Sequence, residues 1–139
     1  MHTMSQGAVS VVDRGANRTR LTVGTTLVLL VAEFLLGMYV NLFVPTPHGQ
    51  PALVAHIALG SLLLVMALVT AGTAVASRRP VTAVLAAAGL LFLVVAWTGG
   101  ARFLGGGGHN ADSYLMAAGF VLAGTCYVLA LELGRRGGA

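Results

Sequence analysis

Apolar residues run along this chain in four long blocks, Leu21 to Val44, Ala52 to Ala76, Val81 to Leu104 and Ser113 to Leu133. Each reaches the roughly 20 residues that an α-helix needs to cross about 30 Å of hydrocarbon. None shows the strict alternation of a barrel strand. Pro45, Pro47 and Pro51 close the first hairpin, Ser77-Arg78-Arg79-Pro80 the second, and Gly105 to Gly108 with His109-Asn110 the third. Short connections force antiparallel neighbours, and in lipid every backbone amide must be paired within its own helix. The pattern therefore predicts an all-α, four-transmembrane-helix, up-down-up-down bundle over residues 21–134. A flexible cytoplasmic tail is expected over residues 1–20 and a short cytoplasmic one over residues 135–139.

Composition agrees with this reading and removes others. The chain is 57% hydrophobic and only 9% charged, with a mean hydropathy of +0.88, whereas a soluble domain carries about 25% charged residues. The single cysteine, Cys126, excludes an internal disulfide framework. A net charge of +4 would suit a nucleic-acid partner if the arginines shared a soluble face. Instead they flank apolar runs, so no nucleic acid is expected. Three arginines precede the first block, two lie between the second and third, and two follow the fourth, against Arg102 alone on the other side. The positive-inside rule then puts both termini in the cytoplasm and the protein in the plasma membrane. The N-terminal block is too long, and its charges too far from the start, for a cleavable signal. Eight arginines, no lysine and one isoleucine, Ile57, suggest GC-rich codons and a bacterial source.

Within the blocks the polar residues stand out. An ionised carboxylate near the middle of a membrane helix costs a few kcal/mol, so Glu33 should be protonated, paired or facing a wet cavity. At 100° per residue Thr22, Thr26, Glu33, Gly37 and Asn41 share a sector about 100° wide, with Leu30, Phe34, Leu35 and Leu42 mostly elsewhere. This face should point inward, with Glu33 donating to a neighbour such as Thr125 or Tyr127, or else handling a proton or cation. His56 shares its phase with Gly60, Leu63, Ala67 and Ala74 and should also face inward, level with Tyr39 to Asn41. Met116 sits at the same depth in the fourth helix, which is diagonal to the second in a simple ring. His56 and Met116 thus form a candidate axial pair for a b-type haem near the outer leaflet.

The same end of the bundle collects Tyr39, Asn41, His48, Trp97, Arg102, His109, Asn110, Asp112 and Tyr114. Trp97 and the tyrosines suit the membrane interface, Arg102 can pair with Asp112, and Asp112 or Ser113 can cap the fourth helix. His48, His56 and His109 could meet around a divalent metal, although no ligand spacing supports this. Gly105 to Gly108 lack the Lys, the Ser or Thr and the preceding strand of a phosphate loop. No nucleophilic triad has motif spacing, so catalysis is not indicated.

The stretch Glu33 to Phe43, followed by Ala55-His56 and later by Phe103 and a Gly-rich loop, resembles small four-helix membrane proteins of high-GC Gram-positive bacteria. That resemblance implies a topology and no activity. Helices arranged around inner histidines are also similar to half of a haem A synthase, a family that uses paired histidines; here the fourth helix has none. Glu33 and Trp97-Thr98-Gly99 are locally similar to small multidrug resistance exporters, which carry a Tyr where this chain has Val94. The expected role is a binding or accessory protein, in contact with the bilayer and with a membrane-protein partner or further copies of itself. Its inner cavity would be bordered by Glu33, Asn41, His56 and Met116, with Tyr39 and Trp97 beside it. The specific readings are a haem b carrier through His56 and Met116, or a proton-coupled exporter through Glu33.

Overall fold

The computed structural model describes residues 4–43, 50–105 and 110–136, with side chains from residue 15 to residue 135 within those ranges. Four helices follow in order: α1 Met4–Phe43, α2 Pro51–Ala76, α3 Pro80–Gly105 and α4 Asn110–Arg136. All four are long and apolar enough to cross a membrane, α1 from Gly15 onward, and the chain is built as a multi-pass membrane protein. Residues 4–20, expected as a flexible tail, instead continue the first helix. No proline interrupts them, and Thr19 Oγ1 ties the helix to Thr73 O of α2 at 3.1 Å. At the start of α2, Gln50 is extended and Pro51 takes the first helical position, where its missing N–H is no loss. The fourth helix starts at Asn110, so Asp112 lies inside its first turn rather than capping it, and meets Arg102 at 3.3 Å.

The helices form a ring in which α1 touches α2 and α4, and α3 touches α2 and α4. Along α1 the inward positions are Thr19, Val23, Thr26, Leu30, Glu33, Gly37 and Val40, alternately three and four residues apart. A 3.5-residue repeat of this kind produces left-handed packing with helices crossing at about 20°. Leu30, set outside the Glu33 sector from sequence, belongs to the buried seam, as its position between Gly37 and Asn41 on a 100° wheel requires. Leu21, Val28, Leu35 and Leu42 repeat on the outward face and are each more than half exposed. The buried positions are largely small, among them Ala67, Ala74, Ala86, Ala96, Ala123 and Ala130. Lipid is as apolar as leucine, so close approach of backbones, rather than burial of large side chains, holds such helices together.

Two hairpins make the most extensive contacts, α1 with α2 and α3 with α4. In the second, a β-carbon added at Gly119 would lie 2.7 Å from Phe92 O, and one at Gly99 would lie 2.9 Å from Asp112 O. Backbone therefore rests on backbone. Between α1 and α2 the hydroxyls of Thr22 and Thr73 meet at 3.0 Å, and those of Thr26 and Thr70 at 2.9 Å. At the end that carries the termini, Arg20 Nη2 donates to Gly134 O at 3.0 Å and Arg79 Nη1 to the same oxygen at 2.7 Å, which closes the hairpins onto each other. At the opposite end they separate.

Candidate functional site

Between the hairpins lies a cavity of about 360 Å³ that runs from Glu33 toward the α1–α2 and α3–α4 connections. Its wall is apolar for most of its extent, with Leu53, Leu63, Leu93, Phe103 and Phe120 among the contributors. Glu33, Asn41, His56 and Ser113 supply the polar groups, and Met116 and Trp97 also border it. Small residues make the space: His56 lies against Gly37, where a β-carbon would stand 2.9 Å from Cε1, and Glu33 Oε1 lies against Gly60, 2.7 Å from a β-carbon there. The side chains of Glu33 and His56 thus occupy room that alanine would take from either helix.

Glu33 is 2% exposed, and its Oε1 stands 2.8 Å from His56 Nδ1. Among the described residues Nδ1 has no aligned hydrogen-bond partner despite that distance, and Oε2 has none either. The contact is thus one of charge and proton proximity, with an acceptor oxygen left over. A carboxylate beside an imidazole can pass one proton between two forms, carboxylate with imidazolium and carboxyl with neutral imidazole. In a low-dielectric surrounding both avoid an isolated charge.

This partner differs from those expected for Glu33. Thr125 is exposed and donates to Val121 O at 2.9 Å, and Tyr127 Oη is buried without a partner. Phe34 stacks edge-on with Phe120, which sets α1 against α4 so that Glu33 is level with the residues around Val121 and Tyr127 lies more than a turn deeper. His56 packs one turn deeper than Tyr39 to Asn41, against Gly37 and Glu33.

Of the residues singled out by sequence, Glu33, Asn41, His56, Trp97 and Met116 line the one cavity. Tyr39 does not; it is half exposed and packs on Phe43. His56 and Met116 sit on diagonal helices, yet the imidazole faces α1, and the Met116 thioether lies against Gly100 of α3. His48 and His109 fall outside the described residues, and among those described no three metal-ligating side chains gather. Sequence reasoning put Gly37 on the face of Glu33 and Gly60 on that of His56 but did not see them as the seats of the pair; the available signal was the four-residue step from each polar residue to a glycine. No family model matches this chain, and searches of curated proteins and of solved structures find no similar protein.

Proposed function

We propose that the protein is a proton-linked binding site for small amphipathic molecules in the plasma membrane, with both termini cytoplasmic. One observation carries the reading: the buried Glu33 and His56 stand 2.8 Å apart at the deep end of a largely apolar cavity. The apolar wall suits the body of a ligand, and the unpartnered Oε2 suits an N–H or ammonium end. A cationic head at Oε2 replaces the positive charge of the shared proton. That proton leaves through the cavity to water, so binding of the cation and of the proton exclude each other. Alternating occupancy of this kind is the elementary step of a proton-coupled exporter.

The test is calorimetry of the detergent-solubilised protein with a lipophilic ammonium dye, in buffers of different ionisation enthalpy. About one proton should be released per dye bound. Glu33→Gln should release none and bind at least about tenfold more weakly, the loss of one charge-assisted contact. Binding without proton release, or undiminished in Glu33→Gln, would overturn the reading.

A second reading, haem b ligation, rests on His56: a carboxylate at Nδ1 is the usual support of a ligating imidazole, and Nε2 would then be the metal-binding atom. Met116 would have to turn from α3 to serve as the other ligand. An optical spectrum before and after dithionite separates the readings. A Soret band that moves on reduction and vanishes in His56→Ala favours haem, and a colourless protein removes it.

A further inference from the structure

At the end of the bundle that carries the termini, two guanidinium groups converge on one carbonyl. Arg20 Nη2 and Arg79 Nη1 donate to Gly134 O at 3.0 and 2.7 Å, and Arg20 Nη2 also reaches Arg135 O at 3.2 Å. Sharing an oxygen holds the two donor nitrogens within about 6 Å of each other. The C-terminus of a helix offers roughly half a negative elementary charge, which leaves most of two unit charges uncompensated. Among the described residues no carboxylate pairs with either. Glu132, the acid on that part of α4, is taken by Arg135 at 3.7 Å. Arg20 Nε is buried and has no partner among the described residues. Beside it is a space of about 10 Å³, lined by Arg20, Arg79, Thr19 and Thr82, about what one oxygen atom requires. The nearby turn adds Arg78, exposed and held at φ 56°.

Like charges brought together by the fold, with donors to spare and no acid supplied, are completed by an anion from outside the chain. We infer that Arg20 and Arg79 form a site for a phosphate group, with one of its oxygens entering the space beside Thr19 and Thr82. The chemistry is shared by a phospholipid headgroup and by free phosphate. This site is separate from the Glu33 cavity and does not depend on what that cavity does.

The experiment titrates the full-length protein in detergent with phosphatidylglycerol, phosphatidylcholine or inorganic phosphate, reading the thermal midpoint, alongside native mass spectrometry of retained lipid. A saturable rise with phosphatidylglycerol but not with phosphatidylcholine supports a lipid phosphate. An equal rise with inorganic phosphate supports the site with a free anion as its occupant. Arg20→Gln and Arg79→Gln should each weaken the response about tenfold or more, whereas Arg102→Gln, the same charge change at the far end, should leave it intact. The inference is overturned if both lipids act alike, if neither anion acts, or if Arg102→Gln loses as much as Arg79→Gln. Should Arg20→Gln fail to fold, Arg79→Gln and the lipid retained by the unmodified protein decide the matter alone.

Discussion

At the scale of single residues, burial sorts the polar groups into those with a partner and those without. Glu33 Oε1 and His56 Nδ1 stand 2.8 Å apart, each the nearest polar group to the other though not aligned as a hydrogen bond. His56→Leu would leave the carboxyl alone in an apolar pocket, which costs about 1–3 kcal/mol, measurable as a lower thermal midpoint. Glu33→Gln keeps size and polarity and should fold, so its effect is confined to proton linkage and cation binding. Tyr127 is the contrasting case. Its hydroxyl is fully buried and unpartnered, so Tyr127→Phe removes an unmet polar group while retaining the ring. The expected outcome is a protein as stable as the original or more stable by up to about 1 kcal/mol, read by thermal or denaturant unfolding.

At the scale of elements, contact depends on residues that have almost no side chain. The α3–α4 hairpin closes at Gly99 and Gly119, where added β-carbons would meet backbone atoms at 2.9 and 2.7 Å. Backbone cannot swing aside as a flexible side chain can. Gly119→Ala is therefore expected to cost about 1–3 kcal/mol by overpacking, whereas Gly72→Ala, where nothing lies within 4 Å, should be neutral or slightly stabilising. Comparing the two midpoints checks the packing directly. The α2–α3 turn shows the opposite relation, since Arg78 occupies a left-handed conformation with φ 56°. Arg78→Gly should relieve roughly 1 kcal/mol of backbone strain at that position.

At the scale of the molecule, the hydroxyls between α1 and α2 form a ladder from the terminal end up to Thr26 and Thr70, and the ladder stops there. Leu30, Leu63 and Ala67, all buried, occupy the next two turns. From Thr26 to Glu33 is about 10 Å along the helix at 1.5 Å per residue. Water or a proton therefore reaches Glu33 through the cavity and not along the ladder. In sealed vesicles holding the protein in one orientation, a membrane-impermeant carbodiimide should modify Glu33 from the side of the α1–α2 and α3–α4 connections only. Modification from both sides would show that the apolar layer is not a barrier.

The number of helices, their order and their apolar outer faces were legible in the sequence, because a spanning helix must satisfy its own backbone and needs a minimum length of apolar chain. Glu33, Asn41 and His56 could be assigned to one interior by phase, and Met116 by depth; all three and Met116 line the cavity, as does Trp97. Phase could not assign contacts. Leu30, which falls between Gly37 and Asn41 at 100° per residue, shares that face and is buried in the seam. The vertical offset between antiparallel helices, which decides whether Glu33 meets His56 or Tyr127, depends on where glycine allows backbones to touch. Gly37 and Gly60 seat the pair and Gly99 and Gly119 set the register of the other hairpin. Arg20 and Arg79 were legible as charges at one membrane face, but their convergence on Gly134 joins residues from opposite ends of the chain. The sequence by itself therefore determined a four-helix membrane bundle and part of its inward face. Only the tertiary structure decided which of those residues meet, since that depends on axial offsets of a few ångströms that no periodicity records.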